Sequence, residues 1–111
     1  MVGLPETLYF RSKMDEYAGK LDVERCNREL KNVVNTQMIL AGQTPPNFAL
    51  IGGMDARRVQ SIIDDDTPIL SRDEFTNLAL LTATPLNQLF ELPPEMHCNY
   101  AVQRCLSRWD N

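Results

Sequence analysis

Residues 47–66, NFALIGGMDARRVQSIIDDD, place two adjacent arginines shortly before three adjacent aspartates. Guanidinium groups on a short helix can hydrogen-bond to base edges in a DNA groove. Carboxylates about two turns later oppose that use, because DNA phosphates repel them. The segment is therefore either a DNA-reading element or the same architecture serving another purpose.

Length and composition exclude several classes of protein. The 111 residues are 43% hydrophobic and 23% charged, which is typical of one globular domain with a packed core. No apolar run approaches the roughly 20 residues that cross a bilayer, and the N-terminus lacks the basic region and apolar core of a secretory signal. Three cysteines at unpatterned spacings indicate reduced thiols. We therefore expect a cytoplasmic protein.

The net charge of -4 is unevenly distributed along the chain. Residues 1–63 hold eight Lys and Arg against seven Asp and Glu, whereas residues 64–111 hold three against eight. A DNA-binding protein needs only a locally basic face. The charge therefore permits a nucleic-acid partner without favouring one.

Apolar residues recur every three or four positions through most of the chain, which indicates helices. Asp22, Thr44, Asp55 and Ser71 each stand where an N-cap belongs, and Glu74 completes a capping box with Ser71. No segment shows the alternation of a strand, so the sequence predicts an all-α fold. The predicted helices cover residues 5–21, 22–41, 44–51, 56–63, 71–81, 86–92 and 97–111.

Two short helices between residues 44 and 63 have the spacing of a close crossing. Ala49 offers a small side chain where the second backbone passes nearby, and Gly53 tolerates the left-handed turn between the helices. Val59 and Ile62 lie one turn apart and point into the core. We therefore expect the opposite side of the second helix to face outward.

The run FALIGGMDARRVQSII, followed by LSRDEFTNLALLTATPLNQLFEL, resembles the helix-turn-helix regulators of the Cro and phage-repressor type. In that family a loop, a helix and a small-residue break follow the motif and lead into a short Leu-x-x-Leu-Phe helix. The likeness covers roughly residues 24–92. It implies a compact, lambda-repressor-like five-helix domain over residues 22–92, with extra helices within residues 1–21 and 93–111.

The resemblance makes residues 56–63 the recognition helix, which lies in the major groove of double-stranded DNA. Arg57 then suits guanine, Gln60 suits adenine, and the Ala56 methyl suits thymine. The implied base contacts are Ala56, Arg57, Gln60 and Ser61. The implied phosphate contacts are Gln43, Thr44, Asn47 and Arg58, with backbone N–H groups near Thr44 and Asn47 adding to them.

The family further implies a bacterial or phage transcriptional regulator that acts by occupancy, either as a repressor that blocks polymerase or as an activator that recruits it. Such regulators pair over half-sites about 34 Å apart, which implies a homodimer. The apolar seam of Val102, Leu106 and Trp109 is the predicted dimerisation surface, and the N-terminal helix is another. The same seam can instead complete the core of one chain.

Two departures from the family pattern favour a rival interpretation. Pro45 stands where the family commonly has glutamine, and Asp64, Asp65 and Asp66 follow the recognition helix. The rival is a protein-interaction module on the same scaffold, similar to an antirepressor or an antitoxin-like partner. The three aspartates are read as a solvated loop, or else as a partner or metal site.

The remaining reactive side chains predict neither catalysis nor a cofactor. His97 and Cys98, with Cys105, suggest zinc, but four ligands at finger-like spacing are missing. No glycine-rich phosphate loop is present, and no nucleophile has an identifiable partner. We therefore expect no metal, no cofactor and no enzymatic activity.

Overall fold

The computed structural model describes residues 3–109, with side chains from residue 9 onward. No strand occurs in this range, which confirms the all-α expectation. The helices are α1 (Gly3–Gly19), α2 (Val23–Ala41), α3 (Pro45–Gly52), α4 (Ala56–Asp64), α5 (Arg72–Leu81), α6 (Leu86–Leu89) and α7 (Asn99–Leu106). Two short 3₁₀ turns are also present: Pro94–Met96 lies between α6 and α7, and Ser107–Trp109 follows α7.

Side-chain caps explain where the central helices begin. Asp22, Thr44 and Asp55 each accept a hydrogen bond from a backbone N–H in the first turn of the helix that follows. Ser71 and Glu74 form the capping box at the start of α5. These bonds satisfy donors that a helix leaves open at its N-terminus. They account for the close agreement between the predicted and observed starts of these helices.

The α3–α4 crossing forms as the sequence predicts. Ala49, Val59 and Ile62 are buried in the core. Gly53 ends α3 with φ of 64°, the left-handed conformation expected there. A β-carbon at Gly52 would meet the tip of the Leu81 side chain on α5, which would have to shift to make room. The turn between the two helices is therefore fixed by the conformation of Gly53.

The C-terminal segment completes the core of the chain. Trp109 packs against Phe75 and Phe90, with ring centroids 4.5 Å and 5.7 Å away, and its Nε1–H donates to Asn27 Oδ1 over 2.9 Å. Leu106 is buried as well. The prediction that this seam serves dimerisation is therefore wrong for these side chains, because their own chain covers them.

Val102, the third member of the seam, packs against the core but is only half-buried, so its dimerisation role stays a prediction. Helices α1 and α7 also pack on each other. Arg108 donates to the backbone oxygens of Ala18, Gly19 and Leu21 at the end of α1.

Within the described residues, no helix is both long and apolar enough to cross a bilayer.

Candidate nucleic-acid interface

Helix α4 has one buried face and one exposed face. Val59 and Ile62 hold the buried face in the core, whereas Arg57, Gln60 and Ser61 are exposed. Positions three and four apart share a side of an α-helix, so these three polar side chains form a single outward row. Three of the four predicted base-contact residues are therefore brought together.

Ala56 is the fourth predicted base-contact residue, and it lies differently. Its side chain is half-buried and packs against the core at the start of α4. A methyl group that is already covered by its own chain has little surface left for a thymine methyl. The structure therefore counts against a base contact at this position.

Arg58 does not have the orientation predicted for a phosphate contact. Its Nε donates to Glu74 Oε2 over 2.6 Å, and its Nη2 donates to Glu74 Oε1 over 3.0 Å and to the Ile69 oxygen over 2.6 Å. The hydrogen bond from Arg58 is the main reason that the pKa of Glu74 is lowered. The guanidinium is already held within the chain in this conformation, which counts against the predicted phosphate contact of Arg58.

The start of α3 offers few backbone donors to a phosphate. Pro45 and Pro46 occupy its first two positions and have no N–H group. The N–H of Asn47 donates to the Thr44 hydroxyl over 3.4 Å, and that of Phe48 donates to the Thr44 carbonyl. The N–H of Asn47 is therefore engaged within its own chain, which counts against its predicted use by a phosphate.

Side chains are what remains for phosphate binding beside α3. Thr44 and Asn47 are exposed, and Gln43 is half-buried. The Thr44 hydroxyl still has a proton to donate, and the Asn47 amide faces solvent. Of the predicted phosphate contacts, these two side chains keep the exposure that such a role requires.

Carboxylates stand at both ends of the α4 row. Asp55 Oδ1 accepts the N–H groups of Arg57 and Arg58 over 2.7 Å and 3.3 Å, which fills the helix N-terminus with a charge that a phosphate would otherwise supply. Gln60 Nε2 donates to Asp64 Oδ1 over 2.9 Å. Residues 55–66 thus carry four aspartates and two arginines, and the rim of the candidate interface is acidic.

The aspartates after α4 belong to an exposed loop. Asp64, Asp65 and Asp66 all face solvent, and Asp65 Oδ1 accepts the N–H of Thr67 over 3.0 Å. A local turn therefore accounts for the presence of Asp65, one of the three aspartates. Among the described residues, no group of three or more His, Cys, Asp or Glu is arranged to hold a metal ion.

The His and Cys residues of the C-terminal segment are used separately. The Nε2 of His97 lies 2.7 Å from the Leu92 oxygen. Cys105 is buried, which raises its thiol pKa to about 11, whereas Cys98 is exposed. These three side chains do not converge on a common point, so the zinc site suggested by their types does not form.

Sequence reasoning missed a cleft of about 450 Å³ between α1, the start of α2 and the segment after α6. Tyr17 spans it, donating from its hydroxyl to the Phe90 and Glu91 oxygens over 2.9 Å and 2.6 Å. Nη1 of Arg25 lies 3.6 Å from Oε2 of Glu91 in the same cleft. Its lining residues are far apart in the sequence, so no local pattern indicates it.

Comparison with protein-family models, with curated proteins and with solved structures finds no match to this chain. The likeness to the Cro and phage-repressor regulators therefore rests on the motif residues themselves.

Proposed function

We propose that the chain is a DNA-binding transcriptional regulator of the Cro and phage-repressor type, which reads the major groove with α4. The observation that carries the proposal is the outward row of Arg57, Gln60 and Ser61, fixed in place by the burial of Val59 and Ile62. A short helix with one anchored face and one polar face is the element that enters a major groove in this class.

Each member of the row has a matching base edge. The Arg57 guanidinium can pair bidentately with O6 and N7 of guanine, and Gln60 can pair with N6 and N7 of adenine once its amide leaves Asp64. The Ser61 hydroxyl can donate or accept. Occupancy of an operator by such a protein in the cytoplasm blocks polymerase, which is repression.

The acidic rim affects the non-specific affinity for DNA and its dependence on salt. Non-specific affinity for DNA comes from cations that neutralise phosphates. Arg58 is engaged by Glu74 and Asp55 fills the start of α4, so few such contacts are available. Binding therefore depends mainly on base edges, and we expect weak non-specific affinity with a shallow dependence on salt.

A second candidate is a protein-interaction module that keeps the helix-turn-helix core, in the manner of an antirepressor or an antitoxin-like partner. The specific observation in its favour is the same acidic rim, because Asp55, Asp64, Asp65 and Asp66 flank α4 on an exposed surface. Such a rim attracts a basic protein surface and repels phosphates.

Selection of duplexes from random DNA separates the two functions. The full chain is incubated with the pool, bound duplexes are recovered over several rounds, and affinity for the enriched sequence is measured by fluorescence anisotropy. A DNA reader enriches one sequence, which binds at least about tenfold more tightly than a scrambled duplex. Failure to enrich any sequence at low salt contradicts DNA reading and favours the protein-interaction module.

A further inference from the structure

The cleft of about 450 Å³ that Tyr17 spans has the size of a small-molecule site, since such sites measure about 300–1,000 Å³. Its lining residues come from α1, from the turn between α1 and α2, from α2 and from the segment after α6. The candidate nucleic-acid interface is formed instead around α3 and α4. The cleft is therefore a separate feature of the molecule.

The apolar part of the cleft lining is formed by Tyr17, Leu21 and Met96. Leu21 is buried in the core, whereas Tyr17 and Met96 are half-buried. Ligand sites generally combine an apolar surface of this kind with a few polar groups that fix the orientation of the ligand. The cleft can therefore cover an apolar group of modest size.

Charged side chains of both signs surround this apolar surface. Cations and carboxylates are present in equal number, with Lys13, Lys20 and Arg25 against Glu16, Asp22 and Glu91. A ligand with a single charge would be attracted by half of these groups and repelled by the other half. A ligand that carries both charges avoids this conflict, because each charge can lie against a group of opposite sign.

Lys20 is the cation best able to receive a ligand carboxylate. Its Nζ lies 3.2 Å from Glu16 Oε1, and both side chains are more than half exposed, at 77% and 55%. Exposed ion pairs contribute little to stability, so breaking this one opposes ligand binding only weakly. Lys13 lies two turns earlier on the same side of α1 and provides a second cation. Arg25, by contrast, is hydrogen-bonded to Glu29 over 2.9 Å.

Glu91 is the carboxylate best able to receive a ligand ammonium. Its φ of 53° is left-handed, and non-glycine residues held in this conformation cluster at binding and active sites. The Tyr17 hydroxyl, which donates to the Glu91 backbone oxygen, ties this stretch of chain to α1. The Glu91 side chain is 66% exposed and lies 3.6 Å from Arg25 Nη1, which is too long for a hydrogen bond. Its carboxylate can therefore still accept hydrogen bonds from a ligand.

We propose that this cleft binds a small zwitterion with an apolar group, which is the chemistry of an apolar α-amino acid. The ligand carboxylate pairs with Lys20 and Lys13, and the ligand ammonium donates to Glu91. The apolar group lies against Leu21 and Met96. The proposal does not depend on DNA binding by α4, because ligand binding is measured on the protein alone.

Isothermal titration calorimetry of the full chain at neutral pH tests the proposal with matched ligands. Leucine and phenylalanine carry both charges and an apolar group. Their amides lack the carboxylate, their N-acetyl derivatives lack the ammonium, and glycine lacks the apolar group. Leucine or phenylalanine should bind at least about tenfold more tightly than its amide, its N-acetyl derivative and glycine.

Variants of the cleft test the two charged contacts. Lys20→Gln and Glu91→Gln each remove one charge, and each should weaken binding of the same amino acid about tenfold or more. Glu95→Gln is the matched control, because Glu95 is exposed on the same segment as Glu91 but does not line the cleft. It should leave the affinity unchanged. Circular dichroism checks the fold, and the ligand comparison on the wild type decides the matter if a variant unfolds.

Several results would overturn the proposal. One is the absence of binding by both leucine and phenylalanine up to about 10 mM. Equal affinity for the amide would assign the cleft to an amine or a peptide N-terminus, and equal affinity for the N-acetyl derivative would assign it to a simple anion. Binding that Lys20→Gln and Glu91→Gln both leave intact, or that Glu95→Gln weakens equally, would place the ligand elsewhere on the chain.

Discussion

Arg58 and Glu74 join α4 to α5 through a two-point ion pair, with Nε–Oε2 at 2.6 Å and Nη2–Oε1 at 3.0 Å. The same carboxylate accepts the N–H of Ser71 over 2.9 Å and so completes the capping box of α5. The Glu74 side chain thus caps the start of α5 and also holds α4 against it. The pair leaves Arg57, one position earlier, as the arginine of α4 that faces outward.

Replacing Arg58 should weaken the fold, whereas replacing Arg57 should not. In Arg58→Met, Glu74 keeps its charge and its bond to the Ser71 N–H but loses its cationic partner, and we expect the free energy of unfolding to fall by about 1–2 kcal/mol, between the values for exposed and buried pairs. Urea denaturation measures this change. Arg57→Met is the matched control and should change stability by less than about 0.5 kcal/mol. Equal losses in the two variants would contradict the assignment.

The ion pair also predicts how stability depends on pH. The Arg58 hydrogen bond lowers the pKa of Glu74, so the folded state favours the ionised carboxylate. Its stabilising contribution is complete above the unfolded pKa of about 4.3 and is lost as pH falls through the lower folded value. The stability difference between wild type and Glu74→Gln should therefore be largest at neutral pH and shrink in acid. Thermal unfolding at a series of pH values measures it; a difference that widens in acid would contradict the mechanism.

Trp109 should behave as a core residue. Trp109→Ala removes a ring that lies 4.5 Å from Phe75 between centroids and leaves a cavity, so we expect a loss of about 3–5 kcal/mol. Trp109→Phe keeps a ring but strands the buried Asn27 oxygen, and should cost about 1–3 kcal/mol. Urea denaturation followed by circular dichroism measures both. A loss below about 1 kcal/mol in Trp109→Ala would contradict the core assignment and favour a role for Trp109 in an interface.

The three thiols should differ in reactivity. Burial raises the pKa of Cys26 and of Cys105 to about 11 each, so both stay protonated and covered at neutral pH. Cys98 is exposed. Titration of the native protein with an aromatic disulfide reagent should modify Cys98 quickly and the other two only on unfolding. In Cys98→Ser the fast reaction should vanish; a fast reaction that persists would show that a buried thiol is accessible.

The helix-turn-helix crossing could be predicted because its determinants are local. Gly53 is needed for a backbone conformation, Ala49 for close approach, and Val59 and Ile62 for a helical period. Each of these requirements is visible within a few neighbouring residues. The spacing of four between Gln60 and Asp64 was equally visible, and it indicates the hydrogen bond that the structure contains.

The partner of Arg58 could not be predicted in the same way. Glu74 is sixteen residues away, and only the packing of α4 against α5 brings the two together. The apolar seam ending at Trp109 is visible in the sequence, but an apolar stripe has the same spacing whether its own chain or a second copy covers it. Its place in the core follows from tertiary contacts with Phe75, Phe90 and Asn27.

Fluorescence anisotropy with the duplex enriched from random DNA is the most direct test of base reading by α4. Arg57→Ala should weaken binding by about 1–3 kcal/mol and relax the preference for one base pair. Arg11→Ala changes the net charge equally from the exposed side of α1 and should leave affinity unchanged. If Arg57→Ala binds the enriched duplex as tightly as the wild type, or no more weakly than Arg11→Ala, α4 is not the element that reads DNA.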